Sequence, residues 1–329
     1  MTPARASGIR AERIEGKRVS RKEIREAVLA AKAAEVTKPT IARLWDQYQQ
    51  SFDDGKARKA DISRYHIYIK SLFENKTPNE ITTLDADKLR HKLLKMGKSP
   101  QTAKHVLALL RRIVRFGVKK GLCAAPDPSK LHFEMPRIDN QKTESLSANQ
   151  LKKYLEAIDK EPDQEAVAFL RLALVTGMRK GALMALQWTD IDFESGFILL
   201  RGEAAKKGKT ERIPLSHAAR AILQGVRRTD SPFVFPGRNG AQRKDFRKIA
   251  VRVKQNAGLP DDFRPLHGLR HAYASLLASS GKVDLYTLQK LLTHSSPQMT
   301  QRYAHLADEA MQRAANVADE IFDTVIEGK

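Results

Sequence analysis

The residues that could do chemistry crowd one stretch near the C-terminal end, LHGLRHAYASLLASSGKVDLYTLQKLLTHSSPQMTQRYAHL, from Leu266 to Leu306. His267, Arg270 and His271 stand close together, His294 follows, and Tyr303 comes nine residues after His294. An arginine among histidines suits a bound anion, and a tyrosine hydroxyl beside it suits nucleophilic attack on that anion. Two further cations sit at polar turns upstream: Arg179, at a helix start after the Thr176–Gly177 break, and Lys206, in the Gly-containing run Gly202–Thr210. Two arginines, a lysine and two histidines converging on one phosphate would neutralise the charge that grows on its equatorial oxygens, with Tyr303 as nucleophile. Each residue also has a plainer reading. An arginine at a helix start or a lysine in a hairpin is most often a surface residue, and Met299 and Tyr303, four apart, could be packing. His267 and His271 have metal-ligand spacing, but the metalloprotease form needs Glu after the first His, where Gly268 stands, and Arg270 would repel a cation. No metal or cofactor is expected.

For these groups to meet, the fold must carry Arg179 and Lys206 to the C-terminal stretch. The elements that would do so are legible. A capping box, Ser147-Ala-Asn-Gln150, opens a helix with Leu151, Tyr154, Leu155 and Ile158 on one face. An apolar helix, Ala166–Val175, runs into Thr176-Gly177, and a short helix after Arg179 reaches Leu186. Phe197–Arg201, Arg212–Leu215 and Phe233–Phe235 read as strands, the first two joined by the basic loop that contains Lys206. Helices follow at Ser216–Arg228, about Gln242–Ala257, Leu269–Ser279 and Leu285–Leu292, the last with Asp284 as N-cap. Pro297 begins a short helix expected to carry Tyr303.

The first half is helical throughout. Ile41, Leu44, Trp45 and Tyr48 mark one amphipathic helix, and Ile62, Tyr65, Ile69 and Leu72 a second, starting near Asp61. A third spans roughly Asp85–Lys95. The fourth has Ser99 as N-cap and Pro100 at its first position, and ends at Lys119–Gly121. Its core face is Ala103, Val106, Leu107, Leu110 and Val114. Lys104, Arg111, Arg115 and Lys119 recur on the other side, with no acidic residue in the helix to mix the signs of a merely solvated face. A face that tracks phosphates fits better. Residues 1–38 carry ten Lys/Arg against five Asp/Glu and read as a basic arm without a core of its own. The expected organisation is arm 1–38, helical domain 39–122, Pro-containing linker 123–145, second domain 146–307 and amphipathic tail 308–329. In that tail Met311, Ala314, Ala318, Ile321 and Val325 share a side.

Composition fits this reading. The 329 residues carry a formal net charge of +21, an excess that would repel itself unless a polyanion neutralised it, and nucleic acid is the usual one. Cys123, the single cysteine, rules out an intramolecular disulfide and a multi-cysteine zinc site. With no apolar run approaching a membrane span, a reducing, cytoplasmic setting beside the nucleoid is expected.

In order and spacing, Thr176-Gly-Met-Arg179 with Trp188-Thr-Asp190, the Lys206 loop before Ile213-Pro-Leu215, His267-Gly-Leu-Arg270-His271, and Leu292-Thr-His294 before Tyr303 resemble the tyrosine recombinase (phage integrase) family. The resemblance covers residues 147–306; residues 40–121 resemble more loosely the family's helical core-binding domain. It implies a mainly α fold with a small antiparallel β-sheet, arranged as a two-domain DNA clamp. It further implies that Tyr303 attacks a scissile DNA phosphate, leaving a 3′-phosphotyrosine and a free 5′-hydroxyl. Arg179 and Arg270 would hold the non-bridging oxygens, and His294 would add a hydrogen bond. Lys206 would protonate the leaving oxygen, since it lies eight residues before Pro214, where the family keeps its lysine. His267 would orient the site and accept the tyrosine proton, with His271 in support. The partners implied are double-stranded recombination sites, a homo-tetramer on DNA in which the tail docks on a neighbour, and DNA-bending accessory proteins. The leading expectation is integration and excision of a phage or other mobile element. The alternatives are a chromosome- or plasmid-dimer resolvase of the same chemistry, a relaxing topoisomerase, and a DNA binder that has lost recombination. The last is kept open by one departure: the family has Glu or Asp three residues after the first arginine, and here that position is Ala182.

Overall fold

A computed structural model of the chain describes residues 22–29, 38–51, 56–138, 144–201, 210–306, 315–317 and 322. The chain divides into two compact units, Met1–Asn140 and Gln141–Lys329. Of the basic arm, residues 22–29 are described, and they are helical and exposed. The tail residues Met311, Ala314, Ala318, Ile321 and Val325 lie outside the described residues.

The first unit is built on α1 (Ile41–Gln50), α2 (Lys56–Arg64), α3 (Lys70–Phe73), α4 (Thr83–Lys95) and α5 (Pro100–Lys119). Ile41, Leu44, Trp45 and Tyr48 are buried as the periodicity predicts, and Trp45 stacks on Tyr65 with ring centroids 4.2 Å apart. The second helix departs from expectation. It begins at Lys56, and a π-helical turn, Tyr65–Ile69, joins α2 to α3. The wider turn lets the helix face slip by a residue, so Phe73 is buried where simple periodicity selects Leu72, which is 38% exposed. Ser99 caps α5 by accepting from the Thr102 amide, and the predicted core face is buried together with Leu109 and Ile113. Lys104, Arg115 and Lys119 are exposed on that helix, and Arg111 is partly buried. The Pro-containing stretch after Cys123 is strapped to this unit at least as far as Met135. Leu131, Phe133 and Met135 pack on its core, and the Lys130 carbonyl accepts from the Thr83 amide at 2.9 Å.

The second unit holds α6 (Ala148–Asp159), α7 (Gln164–Thr176), α8 (Lys180–Ala185), α9 (His217–Gly225), α10 (Arg247–Asn256), α11 (His267–Ser279), α12 (Leu285–Leu291) and α13 (Gln298–Gln301). The capping box at Ser147 and Gln150 forms, and Asp284 caps α12. The apolar helix α7 is central, with α9 and α11 packed on it. The sheet is antiparallel in the order β1 (Ile191–Asp192), β2 (Phe197–Leu200), β3 (Glu211–Pro214), with Ile198 opposite Ile213 and both buried. The stretch Phe233–Phe235, expected as a strand, makes only an isolated bridge between Phe233 and Gln187. Pro232 and Pro236 bracket it and lack the N–H groups a ladder needs. Val234 and Phe235 are core residues all the same, Phe235 lying edge-on to Phe169. No helix among the described residues is long and apolar enough to cross a membrane.

The π-helical turn makes a direct prediction. Phe73→Ala should destabilise the protein by about 3–5 kcal/mol, the usual cost of deleting a buried aromatic. Leu72→Ala should cost less than about 1 kcal/mol, as expected at an exposed position. Urea unfolding of both variants checks it; equal losses would restore the unbroken α-helical register.

Candidate active site

α11 starts at His267, two residues earlier than the sequence pattern suggests, so His267, Arg270 and His271 share its first turns and one face. The ring centroids of His267 and His271 are 4.8 Å apart and perpendicular. Arg270 is buried at 5% exposure. Its Nη1 donates to the Gly177 carbonyl at 2.7 Å and its Nη2 donates to the Leu292 carbonyl. Gly177 ends α7 in the left-handed conformation, φ +60°. A Cβ there would stand 2.3 Å from Cδ1 of Tyr273, so glycine is required both for the turn and for the close approach of α11.

Arg179 N-caps α8 in extended conformation and is half-buried. Its Nη1 donates to Thr293 Oγ1 at 2.8 Å and its Nη2 donates to the Thr293 carbonyl at 2.9 Å. Thr293 itself has φ +49°, an unusual value for a β-branched residue, at the turn that follows α12. Arg179 and Arg270 are thus drawn to successive carbonyls, Thr293 and Leu292, at one strained corner. Burial, then their mutual repulsion, lowers the pKa of Arg270; burial lowers that of Arg179, and Glu211 acts against the shift in both. The two arginines, Ala182, Glu211 and Thr293 line one cavity.

His294 is buried, its Nδ1 sharing a 2.7 Å hydrogen bond with Thr300 Oγ1. Tyr303 does not ride on the short helix. α13 ends at Gln301, and Tyr303 falls in the turn between it and a 3₁₀ turn, Ala304–Leu306. It is 1% exposed and packs with Ala274, Ala278, Leu288 and Leu292. Its hydroxyl shares a 2.5 Å hydrogen bond with Nδ1 of His271, not of His267. Burial raises the Tyr303 pKa against the opposing pull of Arg302 and Arg270. The phenol is therefore neutral and out of reach of a DNA phosphate in this conformation. Burial, then His267 and Arg264, holds His271 down at about 3, and its Nε2 is buried with no hydrogen-bond partner in the structure. His267 is exposed, with a pKa lowered by desolvation and by Arg264 and Arg270.

Lys206 lies outside the described residues, between β2 and β3. Lys104, Arg111, Arg115 and Lys119 belong to the first unit and are not among the groups gathered here. Several residues that shape the site were given no role from the sequence. Thr293 stands inside the Leu292-Thr-His294 motif without a role read for it, and Thr300 has nothing in its spacing to mark it. Glu144 chelates Arg264 through Nε at 3.1 and 3.0 Å and accepts from its amide at 2.6 Å, fixing the loop that leads into α11.

Comparison with known proteins agrees with the motifs. Residues 144–310 match the model of the Phage integrase family. The chain belongs to that family. Over 238 residues it is 31% identical to tyrosine recombinase XerC of Xanthomonas campestris, covering 69% of this chain and 71% of XerC. Its fold is similar to that of the Tn1549 transposon integrase in complex with transposon right end DNA, with a TM-score of 0.69 and 19% identity over 84% of this chain and 99% of the other. It is also similar to a lambda integrase tetramer bound to a Holliday junction, with a TM-score of 0.64 and 19% identity over 87% of each. The protein is a tyrosine site-specific recombinase, an enzyme that cuts and rejoins DNA.

The buried His271 sets a pH dependence of stability. Its pKa is about 3 when folded and 6.5 in its ordinary state, so between these values the unfolded chain binds a proton that the folded chain rejects. The stabilisation present above pH 6.5 is lost as pH falls towards 3. Thermal unfolding of wild type and His271→Gln across that range should show a shallower acid loss in the variant; parallel curves would remove His271 as the source.

Proposed function

We propose that Tyr303 is the nucleophile and that the half-buried Arg179 and the buried Arg270 grip the scissile phosphate. The observation that carries this is the convergence of Arg179 and Arg270 on the Leu292–Thr293 corner, which leaves two positive charges around one cavity a short loop away from His294 and Tyr303. In the reaction Tyr303 Oη forms a bond to phosphorus while the bond from phosphorus to the 5′ oxygen breaks. Tyr303 must first leave His271 and turn out of its apolar cluster. His267 is neutral, exposed and one helical turn from His271, which suits it to accept the phenolic proton. Lys206 gives a proton to the departing 5′ oxygen. His294, its ring fixed by Thr300, adds a hydrogen bond to the phosphate. Because a phosphodiester is exchanged for a phosphotyrosine ester, a 5′-hydroxyl from a second duplex can reverse the step without a fresh energy source.

Lys104, Arg111, Arg115 and Lys119 supply backbone contacts from the first unit, and four protomers act together on two duplexes. As the biological role we favour integration and excision of a mobile element. The basic residues 1–38 and the likeness to a transposon integrase support it. Dimer resolution is the second reading, supported by the likeness to XerC.

A nicked suicide duplex tests the chemistry. Wild type should trap a covalent complex, whereas Tyr303→Phe should form none while binding the site within about threefold of wild type; adducts persisting in the variant would defeat the assignment. Lys206→Ala should lose cleavage on the same duplex and recover it when sulfur replaces the 5′ bridging oxygen, because a thiolate leaves without a proton. No recovery would give the acid role to another group. The biological role is decided in cells. Deleting the gene should abolish the circular form of a flanking element; an unchanged circle together with accumulating chromosome or plasmid dimers would decide for resolution.

A further inference from the structure

Among the described residues, the cavity that the arginines share has one acidic residue in its lining, Glu211. It is the first residue of β3, paired opposite Leu200 at the end of the hairpin, and partly buried. β3 lies beside α12, whose last residue, Leu291, also faces the cavity. Position 182, which also lines the cavity, offers only a methyl group. Two guanidinium groups withdrawn from water at one place repel each other, and carbonyl dipoles offset that repulsion only in part. Among the described residues, Glu211 is the negative charge that acts favourably on both Arg179 and Arg270.

We propose that Glu211 is a positioning residue for the phosphate grip: placed by β3 in the cavity of Arg179 and Arg270, it holds the two guanidinium groups together and aimed before DNA arrives. The inference rests on the reading of those arginines as the grip. Its consequence is specific. A carboxylate near an anion site repels the anion, so Glu211 should weaken ground-state binding slightly while raising the rate of the chemical step. Reaction rate and DNA affinity should then move apart when it is removed. A residue that merely supported the fold would move them together.

The test is single-turnover cleavage of the nicked duplex at saturating protein, with DNA affinity measured in parallel by fluorescence anisotropy. Glu211→Gln, nearly the same size but neutral, should slow cleavage on the order of tenfold, the usual effect of losing a group that orients site residues. Its affinity should be unchanged or tighter. Glu211→Asp, which keeps the charge, should retain more of the rate than Glu211→Gln. Wild-type or faster cleavage by Glu211→Gln, or equal losses in the two variants, would overturn the inference. Tyr303→Phe run alongside separates this failure from that of the underlying reading: if that variant also forms adducts, the site itself has been misassigned.

Discussion

The site of the second unit depends on holding two positive charges, the buried Arg270 and the half-buried Arg179, at one corner. Arg270 is held by the carbonyls of Gly177 and Leu292, and Arg179 by the carbonyl and hydroxyl of Thr293. Carbonyl dipoles satisfy the N–H groups but do not cancel the charge, so the corner remains short of negative charge. That deficit is what a phosphate can fill. It also explains two unusual backbone choices, a left-handed Gly177 and a left-handed Thr293, each of which offers a carbonyl to a guanidinium. Such strain persists only where surrounding structure over-determines it. Here that support is the apolar packing of α7 against α9 and α11, with Phe169, Leu170, Leu172, Leu269 and Ala272 almost fully buried.

The proposed nucleophile is managed by the opposite device. Tyr303 rests in an apolar cluster with its hydroxyl on a histidine that is kept neutral by burial and by neighbouring positive charge. A neutral imidazole and a neutral phenol make a bond that can be left without stranding a charge. The same turn of α11 thus carries three functions at i, i+3 and i+4: an exposed imidazole, a buried cation and the anchor of the resting tyrosine. The helix period, not a loop, sets their relative positions, which gives them a rigidity a loop could not supply.

Much of this was legible in the sequence because helices advertise themselves. The buried face of α1, the Ser99 and Asp284 caps and the Ser147 capping box are local patterns and form as read. What was not legible arises from contacts distant in the chain or from small changes of period. The π-helical turn exchanges Leu72 for Phe73 with no residue type to signal it. Phe233–Phe235 has strand composition, but its flanking prolines and the pull of Phe169 and Phe246 make it a core loop instead. Spacing could show that His267 and His271 share a face. It could not show which of them meets Tyr303, because that depends on where α13 ends. Glu144, Thr293 and Glu211 are ordinary residues until folding places them beside an arginine.

The net charge of +21 and the buried pair also do different work, and their ranges explain why both are present. Exposed cations such as Lys104, Arg115 and Lys119 act through water, where fields between surface charges fade over a Debye length of about 8 Å at physiological salt. On the proposed reading they would gather a polyanion and fix its path, with no preference for one phosphate over its neighbours. Arg270 is buried and Arg179 half-buried, so ions screen them less, and on the proposed reading their interaction with a single phosphate would be stronger and shorter in range. An interaction of that kind grows with charge that develops on the non-bridging oxygens, which the surface array cannot sense. On that reading salt should weigh on the encounter with DNA far more than on the chemical step that follows.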